Sequence, residues 1–150
     1  EKSWKSLDGE ALAHSFKVNA IGPALVAKHF MALLTSQRKS VFAVLSARVG
    51  SIEDNRLGGW HAYRASKAAL NMLMRTCSIE LARRNANAIC VSLHPGTVDT
   101  ALSRPFQTNV PAGKLFPPAL AASQLLAVID HLDANASGGL YAWDGELIPF

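Results

Sequence analysis

Residues 60–71 of this chain read Trp60-His61-Ala62-Tyr63-Arg64-Ala65-Ser66-Lys67-Ala68-Ala69-Leu70-Asn71. The spacing of apolar residues predicts a helix that starts here and runs to about Arg84. Tyr63 and Lys67 lie four residues apart, so their side chains share one face of that helix. A cation at this distance favours the phenolate and is expected to lower the pKa of tyrosine from about 10 towards the range of a general acid or base. Many solvated helix faces carry such a pair, so its meaning depends on its neighbours.

The elements around this helix predict an α/β fold. Apolar runs at 41–45 and 88–93 are typical of buried parallel strands, and a third strand is expected at 140–143, before a short apolar tail. Helices are expected over residues 10–34, with a bend near Gly22-Pro23, and over 118–132, with proline at the start. Segments 47–61 and 101–117 are expected to be irregular binding loops. Strands that alternate with helices in this way imply a parallel sheet covered by helices.

Composition narrows the class of protein. The chain has 150 residues, enough for one domain or part of one, and 49% of them are hydrophobic. Its net charge of +4 comes from scattered Lys and Arg, so a nucleic-acid surface is not indicated. Two cysteines without a pairing pattern suggest reduced thiols in a cytoplasmic protein. No apolar segment reaches the roughly 18 residues that a membrane span needs, and the histidines lack metal-ligand spacing, so neither a membrane nor a metal is expected.

Polar residues lie where two predicted strands end. Ser46 follows the first strand, but no G-x-S-x-G motif surrounds it, which argues against a hydrolase nucleophile. The second strand runs into a turn-rich exit that reads His94-Pro95-Gly96-Thr97-Val98-Asp99-Thr100. Ligands of open α/β sheets bind outside the carboxyl ends of the strands, where these residues lie. Asn19, in the first helix, is on its own a tolerated polar residue.

Together these features resemble the short-chain dehydrogenase/reductase family, most closely its bacterial carbonyl-reductase and C-factor-like branch. The resemblance rests on Val18-Asn19, Leu45-Ser46, the Tyr63-x-x-x-Lys67 helix and the Pro95-Gly96 exit, in this order and spacing. It covers essentially the whole chain but only the second half of the family's fold. The implied fold class is therefore the second half of a doubly wound, parallel-sheet, Rossmann-like domain, with residues 1–150 as a single partial domain.

The resemblance implies hydride transfer between NAD or NADP and a small carbonyl or alcohol substrate. Tyr63 would be the general acid or base, and Lys67 would lower its pKa and bind the nicotinamide ribose. Asn19 would bend its helix and hold a water in a proton relay through Lys67. The turn formed by Pro95, Gly96, Thr97 and Val98 would lie against the nicotinamide. The helices at 10–34 and 63–84 would form the interface of a homodimer or homotetramer.

Two departures from the family pattern leave alternatives open. The family usually has Ser-Ser after this strand, and the second serine polarises the substrate carbonyl; here the pair is Ser46-Ala47. Ser46 is the favoured replacement, Ser51 is an alternative, and weakened polarisation is a third possibility. The glycine-rich turn that seats the pyrophosphate is absent, as is the residue that selects NAD or NADP.

Two functional hypotheses follow from this comparison. In the first, the chain is the catalytic half of an NAD(P)-dependent oxidoreductase and is inactive alone. In the second, it is a non-catalytic, C-factor-like signalling or interaction protein that retains the fold. The missing glycine-rich turn and Ala47 favour the second hypothesis, whereas the combination of Asn19, Tyr63 and Lys67 favours the first.

Overall fold

A four-stranded sheet forms the centre of the molecule. The computed structural model describes the backbone of residues 1–150 and all side chains except that of Asn109. Six strands are present: β1 (Ser40–Leu45), β2 (Ala88–His94), β3 (Thr97–Val98), β4 (Leu115–Phe116), β5 (Leu140–Ala142) and β6 (Leu147–Ile148). The main sheet has the order β1-β2-β5-β6, in which β1, β2 and β5 are parallel and β6 is antiparallel to β5. The short strands β3 and β4 pair in parallel beside it. The predicted α/β class with a parallel sheet is confirmed.

Four α-helices connect and cover these strands: α1 (Gly9–Phe16), α2 (Gly22–Phe30), α3 (His61–Ala82) and α4 (Pro118–His131). Asp8 caps α1 by accepting a hydrogen bond from the Ala11 amide at 2.8 Å. The first predicted helix is divided by a π-helical segment at Lys17–Ile21, just before the predicted bend at Gly22-Pro23. Short 3₁₀ turns complete the chain at Trp4–Ser6, Met31–Leu33, Arg48–Gly50, Arg104–Asn109 and Ala134–Ala136.

The side chains of β2 alternate between the two sides of the sheet, so each side of the strand packs against a different helix. Cys90 packs with Met74 and Leu70 of α3, and Ala27 of α2 belongs to the same cluster. The other face of β2 packs against α4 through a cluster that contains Ile89, Val91, Leu93 and Val128. The six residues Ala88 to Leu93 are buried, as the sequence predicts. The sheet is therefore covered by helices on both sides along this strand.

Strand β1 differs from its prediction as a fully buried strand. Ala43 is exposed and Leu45 retains 60% of its accessible surface. The physical reason is that β1 pairs with β2 on one side only, among the strands of the described chain. An apolar run of this kind is typical of a strand flanked on both sides, so its exposure marks a side of the sheet that nothing within these residues covers.

The carboxyl-terminal third also contains more structure than its sequence predicts. The segment 101–117 is not wholly irregular, because it holds the turn Arg104–Asn109 and strand β4. The apolar tail is a strand, since Leu147 and Ile148 pair with β5 across the turn at Gly145. Two-residue strands are too short to show an apolar period, which explains why they were missed. Within the described residues, no helix is both long and apolar enough to cross a membrane.

The close packing of the turn after β2 against Phe116 can be tested by substitution of Gly96. Gly96 has φ +74, and a Cβ built there would lie 2.6 Å from Cε2 of Phe116. Gly113 has a similar φ of +78, but a Cβ there would meet nothing within 4 Å. We expect Gly96→Ala to lower the free energy of unfolding by about 3 kcal/mol, since left-handed backbone strain and overpacking add. Gly113→Ala should cost only about 1 kcal/mol. Urea unfolding of both variants measures the difference, and equal losses would contradict the packing role.

Candidate active site

The start of α3 is held in an unusual backbone conformation. Trp60 has φ +49, a left-handed conformation that is uncommon for residues other than glycine. The Arg64 guanidinium donates hydrogen bonds to the carbonyls of Val49 (3.2 Å), Gly58 (3.3 Å) and Gly59 (3.0 Å). Its central carbon also lies 5.5 Å from the Trp60 ring centroid. These contacts fix the direction in which the helix that carries Tyr63 leaves the loop.

An aromatic contact joins this helix start to the second loop. The ring of Phe106 meets that of Trp60 edge to face, with 5.9 Å between their centroids. Phe106 remains 53% exposed, so its ring also faces solvent. The loops 47–61 and 101–117 therefore meet beside Tyr63, as expected for segments that frame one site.

Tyr63 and Lys67 lie one turn apart, with the Lys67 Nζ 5.8 Å from the Tyr63 ring centroid. Tyr63 is 38% exposed, whereas Lys67 is only 9% exposed and donates a 2.9 Å hydrogen bond from Nζ to the carbonyl of Leu45. Burial lowers the pKa of Lys67 because it penalises the charged form. The expectation that Lys67 lowers the pKa of Tyr63 is not met, since burial raises that pKa. Burial thus disfavours the phenolate form of Tyr63.

Asn19 reaches α3 through the π-helical segment. A π turn widens the helix locally, and such turns are frequent at functional sites. The Asn19 Nδ2 donates to the Ser66 Oγ at 3.1 Å, and that hydroxyl donates to the carbonyl of Tyr63 at 2.9 Å. Asn19 and Lys67 also line one groove of about 540 Å³, together with Pro23 and β1. The fold therefore brings Asn19, Tyr63 and Lys67 together.

Ser46 lies buried between the end of β1 and α3. Its side chain is 4% exposed, and its hydroxyl donates a 2.7 Å hydrogen bond to the Oδ1 of Asn71. The alternative, Ser51, is 2% exposed, and its Oγ accepts a hydrogen bond from the Asp54 amide at 3.0 Å. Ala47, where the family has its second serine, is also buried. Both candidate hydroxyls are therefore buried and hydrogen-bonded within the protein.

The exit turn of β2 lies at the same edge of the sheet. The Ser46 amide donates to the carbonyl of Leu93 at 2.7 Å, so the carboxyl ends of β1 and β2 are adjacent. The four residues from Pro95 to Val98 follow directly and are half-buried. The rings of Phe116 and Trp143, whose centroids are 4.8 Å apart, pack where a Gly96 side chain would extend. This packing gives the turn a defined shape.

His94, Ser66 and Asn71 were not predicted as site residues. The Nδ1 of His94 is buried without a hydrogen-bond partner among the described residues, and burial lowers its pKa from 6.5 to about 4. The charge of Arg48 lowers that pKa further, and Asp144 opposes it.

Ser66, Lys67 and Asn71 are all buried on one face of α3. Helical spacing places Ser66 and Asn71 on the same buried face as Lys67, and this spacing is the sequence signal from which they could have been found.

Known proteins resemble this chain along most of its length. A family model described as short chain dehydrogenase matches residues 1–111. An uncharacterized oxidoreductase of Schizosaccharomyces pombe is 34% identical over 90% of this chain and 56% of its own length. C-signal of Myxococcus xanthus is 34% identical over 96% of this chain and 81% of its own length. The NADPH-bound carbonyl reductase from chicken fatty liver superposes with a TM-score of 0.84 at 26% identity, covering 99% of this chain and 60% of that enzyme.

The chain therefore belongs to the short-chain dehydrogenase family, as its resemblance implied. It spans only about half the length of the Schizosaccharomyces relative.

Three residues carry hydrogen-bonding groups that one end of a nicotinamide dinucleotide could use. The Tyr63 hydroxyl, the Lys67 ammonium and the Thr97 side chain are of the kind that binds a ribose and a carboxamide. Of these, Lys67 lines the groove, whereas Tyr63 does not and Thr97 lies half-buried on the exit turn. A glycine-rich turn for the pyrophosphate does not occur in these 150 residues. The fit is therefore confined to the nicotinamide end. Among the described side chains, no group of three His, Cys, Asp or Glu residues could hold a metal ion.

The burial of His94 predicts a pH dependence of stability. Its pKa falls from 6.5 to about 4 on folding, so between these values the unfolded chain binds a proton that the folded protein does not. Stability should therefore decrease as the pH falls from 6.5 to 4, by about 2 kcal/mol from this residue. We expect His94→Gln to make the decrease shallower in urea unfolding. An unchanged slope in His94→Gln would contradict the buried, neutral state of this ring.

Proposed function

We propose that this chain carries the proton-delivery part of an NAD(P)-dependent oxidoreductase that interconverts a small carbonyl compound and its alcohol. The observation that carries the proposal is the pair of Tyr63 and Lys67 at the carboxyl end of β1, with Asn19 linked to the same helix through Ser66. The partly exposed phenol can reach a substrate. The ammonium is held in place by the carbonyl of Leu45.

The phenol of Tyr63 can act as the acid in the direction of reduction, although burial raises its pKa and so makes it a weaker acid than a phenol in water. The nicotinamide supplies the hydride when it is bound. Tyr63 donates its proton to the oxygen of the carbonyl. An ammonium has three donors, and Leu45 occupies one of them in Lys67, so donors remain for a ribose hydroxyl. The rings of Trp60 and Phe106 would bound the substrate on the apolar side.

The choice of NAD(P) rests on family membership and on the fit at the nicotinamide end. The chicken carbonyl reductase that this chain resembles is an NADPH-bound structure, which supports a nicotinamide cofactor without choosing between NAD and NADP. We further propose that residues 1–150 form a partial domain. The exposed apolar side of β1, including Leu45, is suited to pair with a further strand.

Apolar residues exposed on the helices support the proposed homodimer or homotetramer. Leu25 and Phe30 of α2 are 52% and 56% exposed, and Met72 and Ile79 of α3 are 67% and 47% exposed. Burying such residues against a second copy is favourable, at about 25 cal/mol per Å² of apolar surface.

A second candidate function is a signalling or interaction role without turnover. The similarity to C-signal, which covers 81% of that protein, favours it. The burial of Ser46 and Ser51 adds to this, because neither hydroxyl is exposed to a substrate. Cofactor binding separates the two candidates, since only the oxidoreductase requires it.

The full-length gene product should oxidise NADPH or NADH in the presence of small aldehydes or ketones. Tyr63→Phe removes the proton donor and should lower kcat by at least about 10²-fold, the usual contribution of a general acid. Cofactor affinity, measured by fluorescence titration, should change much less. Turnover that survives in Tyr63→Phe would contradict the assigned role. Absence of cofactor binding in the unmodified protein would favour the second candidate.

Residues 1–150 expressed alone should show no turnover, even if they fold. The chain lacks a glycine-rich turn, so most of the binding free energy that a pyrophosphate supplies is missing. The measurement is NADPH oxidation by this fragment and by the full-length product at equal concentration, with circular dichroism to confirm folding. Comparable rates for the two proteins would show that the nicotinamide end is sufficient.

A further inference from the structure

We propose that Ser46 and Asn71 are a positioning pair that fixes the end of β1 against α3 and so holds Lys67 in place, rather than Ser46 donating to the substrate. The catalytic consequence rests on the proposed function, but the structural claim does not. The last residue of β1 and the residue after it bond to two residues one turn apart on α3. Leu45 accepts from Lys67 at 2.9 Å, and Ser46 donates to Asn71 at 2.7 Å.

The spacing of these residues makes the two hydrogen bonds interdependent. Lys67 and Asn71 are four residues apart, so they lie on one face of α3 and move together. Leu45 and Ser46 are joined covalently, so loss of the Ser46 side-chain bond loosens the segment that presents the Leu45 carbonyl, which then keeps only its backbone pairing with β2. Asn71 is 2% exposed and Ser46 4% exposed, so water cannot readily replace either partner. The Ser46–Asn71 bond is therefore well placed to control the environment of Lys67.

A close backbone contact tightens this connection. Gly50, in the turn that follows Ser46 and Ala47, lies against Lys67 so closely that an added Cβ would be 2.8 Å from the Lys67 Cβ. The Gly50 amide also donates to the carbonyl of Ala47 at 2.9 Å, which holds the turn closed. A shift at the end of β1 would therefore be transmitted directly to the backbone of Lys67.

Burial argues against a direct role of Ser46 in carbonyl polarisation. Ser46 is 4% exposed, and its hydroxyl lies 2.7 Å from the amide of Asn71, whose Nδ2 is itself buried without a partner among the described side chains. Turning the hydroxyl towards a substrate would break this bond between two buried groups, which is costly. Tyr63 then remains the donor for the carbonyl, and Ser46 acts through Lys67.

The test follows the titration of Lys67 in full-length protein labelled with ¹³C at the lysine Cε, with the signal assigned by its loss in Lys67→Met. Ser46→Ala and Asn71→Leu should each raise the titration midpoint, because a loosened ammonium becomes better hydrated. The double variant should shift the midpoint no further than either single one. Ser46→Thr keeps the hydroxyl and should restore the wild-type midpoint.

Asn85→Leu is the matched control. Asn85 is also buried, at 9% exposure, but its amide binds the carbonyls of Leu34 and Thr35, beyond the carboxyl end of α3. This variant should leave the Lys67 midpoint unchanged. An equal shift in Asn85→Leu, or no shift in Ser46→Ala, would overturn the proposal. Because Ser46→Ala removes a single oxygen atom, its comparison with Ser46→Thr decides the matter even if Asn71→Leu fails to fold.

Kinetics provide a second, independent readout. If the protein turns over, Ser46→Ala and Asn71→Leu should lower kcat/KM by a similar factor of about 5–10, the size expected for one buried hydrogen bond. A loss of kcat in Ser46→Ala with an unchanged Lys67 midpoint would mean that Ser46 acts on the substrate, and would overturn the proposal. If no turnover occurs in the unmodified protein, the proposed function fails, while the titration still tests the positioning pair.

Discussion

The burial of the Lys67 ammonium is the constraint on which the site depends. Removing a cation from water is costly unless hydrogen bonds replace its hydration. Lys67 is 9% exposed, has no carboxylate within ion-pair distance among the described side chains, and bonds to the carbonyl of Leu45. That single acceptor is useful only if the end of β1 stays fixed against α3. The buried core beneath the helix, around Leu70 and Met74, provides this stability and keeps the helix in register with the sheet.

The same constraint accounts for the unusual backbone on either side of the site. The π turn at Lys17–Ile21 presents Asn19 to Ser66, and three consecutive left-handed residues, Gly58 to Trp60, redirect the chain into α3. Glycine adopts the left-handed conformation without strain, whereas at Trp60 it costs about 1–3 kcal/mol and persists only where the surroundings fix it. Here Arg64 supplies that fixation through three backbone carbonyls. Both features set the position of Tyr63.

Sequence alone predicted those parts of the fold that have a strong periodic signal. The bounds of α3 and β2 and the α/β class followed from apolar spacing, and the order of Asn19, Tyr63, Lys67 and Pro95-Gly96 led to the family. The exposure of β1 could not be predicted from its composition, because an apolar strand has the same sequence pattern whether it pairs with another strand on one side or on both. The antiparallel strand β6 is too short to carry a period.

The pKa changes in the site also could not be predicted from the sequence. The spacing of Tyr63 and Lys67 predicts that a cation lies near a phenol, but the sign of the pKa change depends on how much water each group loses. In the folded chain, burial raises the pKa of Tyr63 and lowers that of Lys67, so both groups are driven towards their neutral forms.

A neutral phenol suits proton donation, whereas proton removal from an alcohol requires the phenolate. A bound dinucleotide that contacts Lys67 would change the solvation of that ammonium and, through it, the pKa of the phenol on which both directions depend.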